Sequence, residues 1–374
     1  MFRFSVLVLC FIVLGWNAAE PQTLQPIAVS GPIEARVNII LTGDGFNESE
    51  VNSGVFDKKA EWVAKKMAEF PPLAEYSSFI NFFSMPVISK DSGISHPQKG
   101  INKNTFYGLY FYDDKNYPGY EGLTTAGDGS IARKASDLVR QHVPDYDAII
   151  IMANDTSNSG VASGFNVAAV SGDSTNLWWA SVHEYGHVQA NLWDEKIIER
   201  QNMDIPASVP NITSSLVQIP WRVWIEPGTP VPIQFGTWPD NETVSAFTKA
   251  HSLNGYSPQQ NCVMRTRGYR KFCKVCTEAL IKAWYRVVYP IQNWSPQNLD
   301  VTLSGGEVQT FSVETIRPKT HNLIVRAAVD GVELLVSGNS VTFSGTQLGN
   351  GAHKIVLTAI DTTSAVRNDP ERLL

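Results

Sequence analysis

Residues 183–187 read His-Glu-Tyr-Gly-His. The two histidines are four positions apart, about 40° around a helix, so both rings reach one point beside it. Neutral imidazoles at that spacing bind Zn²⁺ and leave positions open for water and substrate. Glu184 lies between them and is suited to act as general base toward a metal-activated water. The chemistry this predicts is hydrolysis of a peptide bond, with one Zn²⁺ per chain. An ordinary amphipathic helix whose histidines happen to align is the competing reading.

Two histidines do not complete a catalytic zinc site, so a third protein ligand is required. Asp194 lies seven residues beyond His187. On a continuing helix it would sit about 10 Å further along the axis. It can ligate only if the chain leaves the helix and turns back, and Asn191 is the residue suited to that turn. Asp194 is the favoured third ligand. Glu195 and Glu199 are rivals, and Glu226 would serve a more distant arrangement. Tyr256, within Asn254-Gly255-Tyr256-Ser257-Pro258, carries a hydroxyl that could stabilise an oxyanion or bind substrate. Packing is the commoner use of such a side chain.

These residues need elements to position them. Ser174 to Trp179 gives a polar start and then apolar residues, as for a helix running into the motif. Gly186 inside that helix costs about 1 kcal/mol relative to Ala; close packing against a neighbouring strand would explain it. Upstream, residues 36–41 read as a buried strand, 55–70 as a helix, 76–87 as a strand, 131–143 as a helix and 146–152 as an apolar strand. A small-residue stretch, 157–164, precedes a short strand at 165–171. That strand is expected at the sheet edge beside the zinc, where an extended peptide could pair with it. Strands alternating with helices predict a three-layer α/β arrangement. Residues 201–261 read as long surface loops and 274–288 as a helix. From Leu299 onward, short runs at 301–303, 311–313, 323–325, 341–343 and 355–357 predict a C-terminal β-sandwich. A linker near 293–298 divides the chain into 20–293 and 299–374.

Composition narrows the classes. The 374 residues are 43% apolar and 18% charged, with a formal charge of −6; this is globular and lacks the basic excess of nucleic-acid binders. No stretch reaches the ~18–20 apolar residues of a membrane span. Met1-Phe2-Arg3, an apolar run from Phe4 to Gly15 and Ala18-Ala19 describe a secretory signal peptide over residues 1–19. The protein is therefore expected to be secreted, periplasmic or extracellular. Past the signal, Cys262, Cys273 and Cys276 remain. An odd number permits at most one internal disulfide, with Cys262 to Cys273 or Cys276 preferred over the short Cys273–Cys276 loop. Cys273-Lys-Val-Cys276 has no second CxxC, so a structural metal is not expected there.

His183 to His187, six residues, then Asp194-Glu195 resembles the zinc motif of the IgA-peptidase family of secreted, metzincin-like bacterial metalloproteases. Further similarity lies in Val37 to Phe46, in Tyr146 to Asp155, in Cys262-Val263-Met264-Arg265, in Phe272-Cys273-Lys274-Val275-Cys276, and in Val329-Asp330-Gly331 to Val366-Arg367. The family usually has Gly where this chain has Ala190 and Asn191, and Tyr where it has Lys196. The resemblance implies a zincin-like α/β (α+β) catalytic domain, an endopeptidase acting on protein or peptide, and Met264 as a methionine turn beneath the zinc. The C-terminal domain would bind a glycoprotein or cell surface, or cap the catalytic domain. Two other classes remain: a non-hydrolytic binding or adhesion protein on the same scaffold, and a zinc amidase for a non-protein amide.

Overall fold

The computed structural model describes residues 22–113, 121–125, 127–239, 242–334, 336, 338–369 and 374. The expected signal peptide lies outside the described residues. No described helix is long and apolar enough to cross a membrane.

In chain order the first part runs β1 (Gln25–Ala28), β2 (Val37–Asp44), α1 (Glu48–Asn52), α2 (Val55–Ala68), β3 (Ile80–Met85), β4 (Tyr110–Asp113), β5 (Glu121–Thr124), α3 (Ser130–Arg140), β6 (Ala148–Ala153), β7 (Ser159–Ser163), β8 (Val167–Ser171) and α4 (Leu177–Ala190). Six strands form one sheet in the order β1-β3-β2-β6-β8-β7. The four inner strands are parallel, and β1 and β7 close the two ends antiparallel. Parallel strands covered on both faces need apolar side chains on both, and β2, β3, β6 and β8 are buried at every position. Alternation then deals their side chains to two cores. Ile39, Leu41, Ile150 and Met152 pack on one face with α2 and α4, while Ile40, Ile149 and Ile151 pack on the other with α3. The fold is mixed α/β.

Two expectations about strands are corrected here. The strand expected at the sheet edge, 165–171, forms β8 and is interior; the end strand is β7. The sequence Ser-Gly-Val-Ala-Ser carries little hydrophobic pattern, and β7 is held by its backbone ladder to β8. The strand expected over 76–87 begins at Ile80, after a 3₁₀ turn at Ser77–Phe79.

The second part holds β9 (Phe247–Thr248), β10 (Tyr256–Ser257), α5 (Lys274–Tyr285), β11 (Ile291–Ser295), β12 (Val308–Thr315), β13 (Ile324–Val329), β14 (Val332–Leu334), β15 (Ser340–Ser344), α6 (Gly345–Leu348) and β16 (Ile355–Ile360). Residues 201–261, expected as long loops, hold among the described residues only a 3₁₀ turn at Arg222–Trp224 and the two-residue strands β9 and β10. Helix α5 packs on α4, where Trp284 Nε1 donates to the Tyr185 hydroxyl at 2.8 Å. The C-terminal strands make two antiparallel sheets, β11-β12-β15 and β14-β13-β16, joined through Val313, Leu323, Val325 and Ala359. The stretch read as a linker therefore contains the end of β11, while 301–303 joins no ladder. Asp361 ties these sheets to the rest: its Oδ2 accepts from the hydroxyls of Tyr76 (2.9 Å) and Tyr285 (2.6 Å), and His321 meets Oδ1 at 2.7 Å.

Candidate metal centre

Helix α4 crosses one face of the sheet and is buried from Trp179 to Gly186. An Asx turn prepares its start: Asp173 Oδ1 accepts from the backbone N–H of Thr175 and Asn176, both at 3.0 Å. Its end is set by Asn191, at φ 51° and ψ 35°. Asn tolerates this left-handed conformation, the usual place of a helix-ending Gly. The chain then reverses, and the Leu192 carbonyl comes within 2.5 Å of His187 Nδ1. His183 Nδ1 likewise faces the Val263 carbonyl at 2.9 Å. A ring nitrogen facing a carbonyl must carry the proton, so each Nε2 keeps its lone pair.

Those lone pairs converge. The two Nε2 atoms are 3.2 Å apart, and Asp194 Oδ1 lies 3.1 Å from His183 Nε2. Asp194 Oδ2 is 4.0 Å from His187 Nε2. A tetrahedral ion with bonds of about 2.0–2.1 Å requires nitrogen donors roughly 3.4 Å apart. Two acceptor nitrogens and a carboxylate oxygen have no reason to face one another unless a cation stands between them. Asp194 Oδ1 is, moreover, a buried oxygen with no hydrogen-bond partner. The donors fit a metal ion.

Burial works to raise the Asp194 carboxyl, but the close approach of His183, then of His187 and Lys196, holds it far below the usual carboxylate range. Lys196 places Nζ 3.4 Å from Asp194 Oδ1. Glu184 behaves oppositely: burial pushes it up to about 7. Its Oε2 is 3.9 Å from His187 Nε2.

Two glycines shape the site. A Cβ on Gly160 of β7 would come within 2.5 Å of Glu184 Oε1. The Gly160→Ala variant is expected to keep its metal and lose about 10²-fold in activity, the scale of an ångström misplacement at a reacting group. Parallel metal analysis and turnover measurements check this. A Cβ on Gly186 would meet Met264 Sδ at 2.9 Å, Phe272 Cε1 at 3.0 Å and Leu192 Cδ1 at 3.2 Å. Loop and turn residues, rather than the expected strand, explain this glycine. Met264 is thereby placed against α4 between the two histidines, fully buried.

The remaining expectations divide. Glu226 is at the surface, ion-paired with Arg367 at 2.8 Å, and Glu199 is tied by its backbone to His251. Glu195 is fully buried but faces away from the histidines. Tyr256 pairs its backbone with Thr213 and Thr248 and is half-buried against the main core. Among the described residues its hydroxyl hydrogen-bonds none of His183, Glu184, His187 or Asp194. The expected disulfide is corrected: Cys262, Cys273 and Cys276 are all free thiols. Their sulfurs converge with the Glu195 carboxylate instead of pairing.

Sequence reasoning missed Gly160 and His251. His251 Nδ1 approaches the Asp194 carbonyl at 3.3 Å, and burial lowers its pKa below the usual value. No spacing rule could have found either, because each arrives through the tertiary fold.

The profile of the family described as IgA Peptidase M64 matches residues 25–252, more than half of the chain. No curated protein matches it. The matched span contains the histidine pair, Glu184 and Asp194, and the chain belongs to the IgA peptidase M64 family.

Proposed function

We propose that this peptidase is an exported zinc endopeptidase in which His183, His187 and Asp194 hold one Zn²⁺ and Glu184 is the general base. The observation that carries the reading is the convergence on one point of two proton-free Nε2 atoms and a buried Asp194 oxygen that accepts no hydrogen bond. A bound Zn²⁺ supplies Lewis acidity, polarising the scissile carbonyl and acidifying water. Glu184 takes the proton from the attacking water and passes it to the leaving amine. Gly160 leaves the Glu184 carboxylate room. The end strand β7 lies beside it, where an extended substrate adds along the sheet and is read largely through its backbone. Met264 supports the histidine pair from beneath without ligating.

The charged start, apolar run and small residues of 1–19 support export. The shared core of the two C-terminal sheets supports a β-sandwich appended after α5, with the boundary near Pro290. Binding of a glycoprotein or cell surface belongs to that module.

A random peptide pool incubated with the zinc-loaded protein, with and without a chelator, tests the reading. Cleavage is expected, with loss on chelation and recovery on adding Zn²⁺. A pool left intact by the zinc-loaded protein would overturn the peptide-bond chemistry in favour of a binding protein.

A further inference from the structure

We propose that Cys262, Cys273, Cys276 and Glu195 form a second, structural zinc site directly behind the catalytic one. The inference does not depend on the peptidase reading. One donor atom from each of the four residues lies within 4.8 Å of the others. Glu195 Oε1 is 3.2 Å from Cys276 Sγ and 3.7 Å from Cys273 Sγ. A tetrahedral Zn²⁺ with bonds of about 2.3 Å to sulfur and 2.0–2.2 Å to oxygen requires sulfur–oxygen separations of roughly 3.6 Å. The observed pair brackets that value. All four side chains are buried, at 0–2% exposure.

The surroundings are difficult to explain without a cation. Glu195 accepts from Asn211 Nδ2 at 3.1 Å, but its Oε2 is buried with no hydrogen-bond partner. Arg265 is the nearby cation, and it directs its guanidinium to the Lys249 carbonyl and the Ser257 hydroxyl. A carboxylate and three thiols packed together in a dry core cost free energy unless they are paired or bind a metal. A disulfide would consume two sulfurs and leave the third beside Glu195, whose Oε2 would still lack a hydrogen bond.

The backbone, by contrast, is arranged for thiolates. The Cys273 N–H donates to Cys262 Sγ at 3.2 Å, and the Cys276 N–H donates to Cys273 Sγ at 3.4 Å. Cys273 is the N-cap of the 12-residue helix α5, so the positive end of the helix dipole faces the cluster. Thiolate-rich, closed, four-donor sites select Zn²⁺ over oxygen-seeking Mg²⁺ or Ca²⁺. Four ionised ligands around Zn²⁺ leave two negative charges, which these N–H groups, the helix end and Arg265 moderate.

The position gives the site its role. Asp194 and Glu195 are consecutive, one turned to the histidines and the other to the sulfurs. The Glu195 N–H donates to the Met264 carbonyl at 2.8 Å, and Val263, between Cys262 and Met264, holds His183 Nδ1. One structural ion would clamp the returning loop, the Met264 turn and the start of α5, fixing the third ligand and the histidine orientation together.

Metal analysis of the full-length protein tests this, with Cys276→Ser and His183→Ala variants. Wild type is expected to hold two zinc ions per chain, and each variant one. Co²⁺ loaded into His183→Ala is expected to show an intense thiolate-to-cobalt charge-transfer band, since only the sulfur site remains. If Cys276→Ser fails to fold, His183→Ala still carries the test. A His183→Ala protein without zinc would overturn the second site and leave the peptidase reading intact. So would a non-reducing mass showing a disulfide. A His183→Ala protein with two zinc ions would instead overturn the catalytic assignment and leave this site standing.

Discussion

Glu184→Gln is expected to lower peptide-bond turnover by about 10²–10⁴-fold, the range that a positioned general base contributes. That range corresponds to roughly 3–5 kcal/mol of transition-state stabilisation. The amide has nearly the carboxylate's shape, so it still fits beside Gly160, but it cannot accept the water proton. Zinc content is expected to stay at the wild-type level, because Glu184 stands 3.9 Å from His187 Nε2 and outside the three convergent donors. Turnover of a peptide found in the pool experiment, measured beside metal analysis, gives both numbers. Activity within about tenfold of wild type would remove Glu184 from the proton transfer.

Asp194→Ala is expected to weaken zinc binding at the histidine site by more than the ~10–100-fold that loss of an outer partner costs. Among the described residues the carboxylate is the only anionic donor of that site. Without it, two neutral imidazoles face Zn²⁺ beside Lys196, whose Nζ is 3.4 Å from the present Asp194 oxygen. Competition with a chromogenic chelator measures the affinity, and activity should return at high Zn²⁺ only in part. Unchanged affinity with reduced turnover would mean that Asp194 positions the site without ligating. Glu195→Ala removes no donor from the histidine site, so its affinity there should fall less than in Asp194→Ala, and only through the loosened returning loop.

Much of the core fold was legible because its signals are local. The apolar runs of β2 and β6, the helical spacing of α2 and α3, and the polar entry and motif of α4 each lie within a window of a dozen residues. Their burial follows from pattern alone. The His183–His187 pair was legible for the same reason, and Asn191 marked the turn that returns Asp194. The hairpin of β4 and β5 and the end strand β7 were not. Apart from the buried Phe111 and Leu123, their residues are small, polar or exposed, and their pairing lies in backbone hydrogen bonds that no side-chain pattern reports.

The sequence by itself thus determined the chemistry available: two imidazoles and a carboxylate on one helix, an acidic pair after a left-handed turn, and three cysteines. Only the tertiary structure decided how those groups are shared out. Glu195 reaches Cys273 and Cys276 across 78 and 81 residues, and His183 reaches the Val263 carbonyl across 80. Contacts of that separation come from the packing of α4, the Met264 turn and α5 against one another. The split between Asp194 and Glu195 is decided the same way. In a non-helical chain neighbouring side chains diverge, and the core on each side selects which donor set each carboxylate joins.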